Sequence, residues 1–132
     1  EIYTLSLHDA LPILVDVSCR RAAIAALPTI AAHKYMKPKR QYILARDILD
    51  MMLDYGDDAD ALEYLDSITF SIARILEDDS VVDWYEISSM CDCAWYSMKQ
   101  GDSTEIAREP VERMSDRYQR EIDKFSENNQ EE

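Results

Sequence analysis

Glycine and proline are scarce, 2 and 4 in 132 residues. An all-β domain needs frequent chain reversals built on Gly, Asn or Pro, so composition leans to helices. No apolar run approaches the roughly 20 residues that cross a bilayer. The most apolar stretch, 22–32, is short and interrupted by Pro28. The N-terminus has no basic start, apolar block and small-residue cleavage site, so no secretory signal is expected. The three cysteines (Cys19, Cys91, Cys93) are an odd number without export features. They read as reduced thiols in a cytoplasmic protein.

Reactive groups are also few. The two histidines are His8 and His33, and neither has a Glu three positions before it. The Glu-x-x-His pairs of a di-iron bundle are therefore absent. The two glycines, Gly56 and Gly101, form no phosphate-cradling loop. Cys91 and Cys93 are two apart, and on a helix that turns their side chains about 200° from each other, too far to share one ion. The acidic turn from Asp54 to Glu63 has its glycine third, which does not match an EF-hand loop. With His8 in the suspect N-terminal segment 1–13, a nucleophilic Ser or Cys would have only His33 as base, beside basic residues that oppose its protonation. No metal, cofactor or catalytic residue is assigned, and a non-enzymatic protein is expected.

What is present is apolar periodicity and charge. The hydrophobic share is 47%, enough for one globular core in a chain of this length. In 39–55, Tyr42, Ala45, Leu49 and Met52 follow helical spacing, widened by Ile48 and Leu53. Gly56 stands where a left-handed helix cap is expected. Asp57, Asp58 and Asp60 are N-cap candidates for a helix over 59–76 with Leu62, Leu65, Ile68 or Thr69, Ile72, Ile75 and Leu76 facing inward. Ser80 with Asp83 resembles a capping box before a helix over 81–99, with core positions Trp84, Ile87, Cys91, Ala94, Trp95 and Met98, closed by Gly101. Ser103 or Thr104 is expected to cap a last helix carrying Val111, Met114, Tyr118, Ile122 and Phe125, with Pro110 in an early turn.

Before Pro38 the pattern is weaker: an Ala-rich helix over 15–27 and a short one to about Met36. Short connections between long amphipathic helices imply antiparallel neighbours. The expected fold is all-α, an antiparallel up-and-down bundle of four to five helices over 14–126, with a disordered acidic tail over 127–132. Residues 1–13 resemble the conceptual translation of a sequencing-adapter remnant of the kind found in metagenomic assemblies. They are expected to be non-native or disordered, and no functional residue is placed there.

The net charge of −13 is uneven. Residues 14–46 hold seven bases against Asp16, a net +6. Residues 47–103 hold fifteen acids against Arg74 and Lys99, a net −13. Asp47, Asp50, Asp54 and Asp57 recur at three- and four-residue steps, which places them about 5–6 Å apart along one helix face. Asp58, Asp60, Glu63 and Asp66 extend that field, and Glu77, Asp78, Asp79, Asp83 and Glu86 form a second cluster. Such carboxylate arrays approximate the spacing of nucleic-acid phosphates. In size and charge the chain is similar to phage-encoded anti-restriction and anti-CRISPR inhibitors, a resemblance with no motif behind it. It implies an acidic face offered to the basic surface of a nucleic-acid enzyme.

The alternative uses the basic segment 33–46. Its Lys34, Lys37, Lys39, Arg40 and Arg46 interleave with Tyr35 and Tyr42, a composition suited to phosphate contact and base stacking. The segment is short, however, and the net charge opposes direct nucleic-acid binding, which is not expected. It would make the chain a helical subunit of a nucleoprotein or other assembly, or let copies dock head to tail. Tyr64, Trp84 and Trp95 are explained by packing. Tyr85 and Tyr96 fall off the core stripe and, if exposed, are interface anchors.

Overall fold

The computed structural model describes residues 36–127. Among them are four helices and no strand: α1 (Pro38–Asp54), α2 (Ala59–Leu76), α3 (Trp84–Lys99) and α4 (Arg108–Glu127), with a 3-10 turn at Glu77–Asp79 between α2 and α3. The bundle is all-α, with four helices where four to five were expected. The expected helix over 15–27, the adapter-like segment and the short helix up to residue 35 lie outside the described residues, with Met36 itself non-helical. Of the expected tail over 127–132, Glu127 ends α4 and the rest lies outside the described residues.

Side-chain contacts fix the directions. Arg46 meets Gln119, Asp50 meets Ser115 and Arg108 reaches the Leu53 carbonyl, so α1 and α4 are antiparallel. Phe70 meets Tyr85, Asp66 meets Ser88 and Lys99 meets Asp60, so α2 and α3 are antiparallel. At the start of α1, buried Gln41 donates to the Met36 and Asp79 carbonyls at 3.0 and 2.9 Å and accepts from the Val81 N–H at 3.0 Å. That ties the α1 N-terminus to the α2–α3 turn and completes an up-and-down order.

The core follows the apolar stripes. Ala45, Ile48, Leu49 and Met52 of α1 are buried, as are Leu62, Leu65, Ile68 and Ile72 of α2. Trp84, Ile87 and Cys91 of α3 and Val111 and Tyr118 of α4 close around them. Two core residues escape a simple stripe: Gln41, which is buried because its amide meets three backbone groups, and Met51.

The helix ends depart from expectation in three places. Gly56 does not take a left-handed cap: α1 is capped by Tyr55, and Gly101 holds the positive φ among the described glycines. Gly56 is needed for close approach instead. A Cβ there would lie 2.7 Å from Ile106 Cγ2 and 3.0 Å from the Met52 carbonyl oxygen, and the Ile106 N–H donates to the Gly56 carbonyl at 2.8 Å. Ser80 does not cap α3, which begins at Trp84 with Asp83 accepting from the Glu86 N–H at 3.1 Å.

Finally, α4 starts at Arg108, later than Ser103 or Thr104. An earlier start would drive the Pro110 ring into the carbonyl four residues back, so the proline fixes the first turn. Two ends match expectation. Asp58 accepts from the Ala61 N–H at 3.1 Å, and at Gly101 (φ 80°) the Gly101 and Asp102 N–H groups bond the Met98 and Ser97 carbonyls at 3.2 and 2.9 Å, a Schellman closure.

Candidate binding surface

The carboxylates assigned to an acidic face do not share one. Asp54, Asp57, Asp58, Asp60 and Glu63 lie toward the end of the bundle where Gly56 meets Ile106. Asp78 and Asp79 lie at the other end, beside Gln41 and the start of α1. Helix α2 separates the two groups by about 27 Å at 1.5 Å per residue over 18 residues.

Nor are the acids equally available. Asp47 is half-buried and paired with Arg46 at 2.9 Å. Asp50 accepts from the Ser115 hydroxyl at 2.8 Å, and Asp58 is the α2 cap. These three serve the fold. Asp60 is exposed, with Lys99 a loose 3.9 Å away. Asp54, Asp57, Asp78 and Asp79 are exposed, and no described lysine or arginine lies within 4.0 Å of their carboxylates. Asp102 and Glu105, exposed in the α3–α4 connection, join the Gly56 end. Three of the five α4 bases, Arg108, Arg113 and Lys124, face Glu112, Glu109 and Glu121 of the same helix at 3.9, 3.4 and 3.1 Å.

The basic segment is also divided. Lys37 and Arg40 are exposed and Lys39 half-buried at the start of α1. Arg46 is committed to Asp47 and to Gln119 at 2.9 Å. Tyr42 stacks on Tyr118 with ring centroids 5.8 Å apart and meets Phe125 at 6.4 Å, so its ring faces α4 and not a nucleobase. Lys34, Tyr35 and His33 lie outside the described residues.

Tyr85 and Tyr96 are 56% and 59% exposed, and Phe70 on α2 is 43% exposed. Phe70 and Tyr85 meet edge to face at 5.6 Å, and the Arg74 guanidinium sits 6.0 Å from the Phe70 ring centre. Phe70 is the residue that stripe counting missed. It lies two residues past Ile68, about 200° around α2 from it, so helical spacing already turns it away from the core stripe, and the α2–α3 packing brings it against Tyr85.

The remaining chemistry is inward. Asp66 accepts from the Ser88 hydroxyl across the α2–α3 seam. Burial, with the neighbouring Asp92 and Glu63 charges, pushes its carboxyl above the ordinary carboxylate value despite that hydrogen bond. Cys91 is buried, and burial with the Asp66 and Asp92 charges pushes its thiol far up, so it stays protonated. Cys93 is exposed, on a different side of α3 from Cys91. Among the described residues no three His, Cys, Asp or Glu side chains group as metal ligands. Nor is any described helix long and apolar enough to cross a membrane.

Comparison with protein-family models, curated proteins and solved structures returns no match to this chain.

Proposed function

We propose that this chain is a non-enzymatic, cytoplasmic binding protein that offers an acidic helical surface to a basic partner, the basic cleft of a nucleic-acid enzyme being the partner class that fits best. The observation that carries this reading is the group of exposed carboxylates at the Gly56 end, Asp54, Asp57 and Asp60, to which Asp102 and Glu105 add. Like charges gathered this way oppose folding by a few tenths of a kcal/mol per close pair. A cationic surface relieves that repulsion and is drawn in over a screening length of about 8–10 Å. The protonated Cys91 and the hydrogen-bonded Asp66 suit packing better than nucleophilic or acid–base work.

The test uses duplex DNA bound to a restriction endonuclease and to an RNA-guided nuclease, with the chain as competitor. Displacement from at least one is expected, weaker as salt rises. The variant Asp54→Asn/Asp57→Asn/Asp60→Asn should lose it several-fold while melting like the wild type. Asp50 and Asp58 are left intact, because Ser115 and the α2 N-terminus depend on them. No displacement from either enzyme, or displacement unchanged in the triple variant, removes the inhibitor reading. The alternative, contact through the basic segment, retains exposed Lys37 and Arg40 and half-buried Lys39 as candidates, since Arg46 and Tyr42 serve the α1–α4 seam.

A further inference from the structure

Three large side chains stand in water on one side of the molecule, Phe70, Tyr85 and Tyr96. Tyr85, Ser89, Asp92 and Tyr96 are spaced at four, three and four residues, so they line one face of α3. The two tyrosines are about 16–17 Å apart along it, eleven residues at 1.5 Å each. Tyr85 lies toward the end of the bundle that holds Asp78 and Asp79. Tyr96 lies toward the other end, one turn before Lys99, which meets Asp60. The face therefore runs between the two acidic groups, with Asp92 exposed midway.

Charge says what kind of chain covers it. A second copy would bring its own −13 to an acidic surface, whereas a cationic segment meets carboxylates at both ends and in the middle. The guanidinium is the cation that both stacks on an aromatic face and pairs with a carboxylate. The chain itself already sets one, Arg74, over Phe70. Resting on the acidic-partner reading above, we infer that the outer face of the α2–α3 hairpin is the docking surface, and that it takes an arginine-bearing segment of the partner along α3, with guanidinium groups seated on Tyr85 and Tyr96 and paired with Asp92.

The two parts of this surface have separable tasks. Carboxylates at the ends govern the rate of encounter, and the aromatic anchors govern the rate of escape. A labelled arginine–serine repeat peptide is the probe, with association and dissociation followed at low and at physiological salt. Tyr85→Ala/Tyr96→Ala should dissociate about tenfold faster, the scale of losing interface anchors, and associate like the wild type. Asp92→Asn should dissociate several-fold faster. Asp54→Asn/Asp57→Asn/Asp60→Asn should associate several-fold more slowly with dissociation unchanged. All of these positions are exposed, and thermal melting of each variant checks that the bundle persists.

If the tyrosine variant leaves as slowly as the wild type while the triple aspartate variant still weakens binding, the hairpin face is the wrong surface and the acidic-partner reading survives. If the wild type does not bind the peptide at low salt, or if no variant alters binding, both readings fail. Self-association of the wild type that the tyrosine substitutions abolish would make a second copy the occupant and overturn the inference.

Discussion

The two antiparallel pairs of this bundle differ in how many of their aromatic residues they keep inside. In the α1–α4 pair the rings close the seam: Tyr42 stacks on Tyr118, Phe125 meets Tyr42, and Tyr118 is only 2% exposed. Polar bonds line the same seam, Arg46 to Gln119 and Asp50 to Ser115. In the α2–α3 pair Trp84 is buried in the core and the Asp66–Ser88 hydrogen bond crosses the seam, but Phe70, Tyr85 and Tyr96 are left outside it. The residue type is the same and the consequence is not. A tyrosine within the stripe that faces a neighbouring helix becomes core, and one displaced by a fraction of a turn becomes surface. The first pair is a finished structural unit, while the second keeps apolar surface in excess of what its own packing uses.

Substitution tests this contrast directly. The largest effect is expected at Tyr118, where truncation to Ala removes a buried ring and the hydroxyl that accepts from the Asp83 N–H at 3.3 Å. A loss of about 3–5 kcal/mol in urea unfolding is expected, as for other large aromatic truncations. Tyr85→Ala, in the other pair, should stay within about 0.5 kcal/mol of the wild type, as exposed positions do. Equal losses at the two positions would abolish the distinction between a structural and a free aromatic pair.

Next in size is Gly56→Ala. The added methyl cannot clear Ile106 or the Met52 carbonyl without moving the link between the two pairs, so about 1–3 kcal/mol of destabilisation is expected, the usual cost of overpacking. A neutral result would mean that the α3–α4 connection yields freely, and that the two pairs are less firmly joined than the buried contact implies.

The smallest effect concerns pH at the α2–α3 seam. The Asp66 carboxyl is raised in the folded state by burial, so its protonated form is the one the fold prefers. Its contribution is therefore fully present below the ordinary carboxylate value of 3.8 and is lost as pH rises through the higher folded value. Asp66→Asn keeps an acceptor for the Ser88 hydroxyl and removes the charge. It should be slightly more stable than the wild type at pH 7, with the advantage vanishing toward pH 3 in parallel urea titrations. A variant less stable than the wild type at pH 7 would show that the charged hydrogen bond outweighs the burial.

Helix content and most of the core were legible in the residues. Ala45, Leu49, Leu62, Ile72, Trp84 and Val111 recur at intervals that only a helix brings to one side, and burial follows from that geometry. The caps at Asp58 and Gly101 were readable for the same local reason: an oxygen placed to accept from the first turn, and a glycine free to turn left-handed. Gly56 was misread as a cap because what constrains it is Ile106, fifty residues away in the chain.

The candidate site was legible only in its charge. The sequence by itself determined that a body with this many acids and so few bases repels itself and attracts cations, since charge is a sum over residues. It also determined that the chain would fold into amphipathic helices, since their period is local. Tertiary structure alone decided which acids are free and which act as caps and seam partners, why they fall at two ends, and that Phe70 joins Tyr85 in water. Those outcomes depend on distances between side chains on different helices, and such distances exist only once the helices have packed.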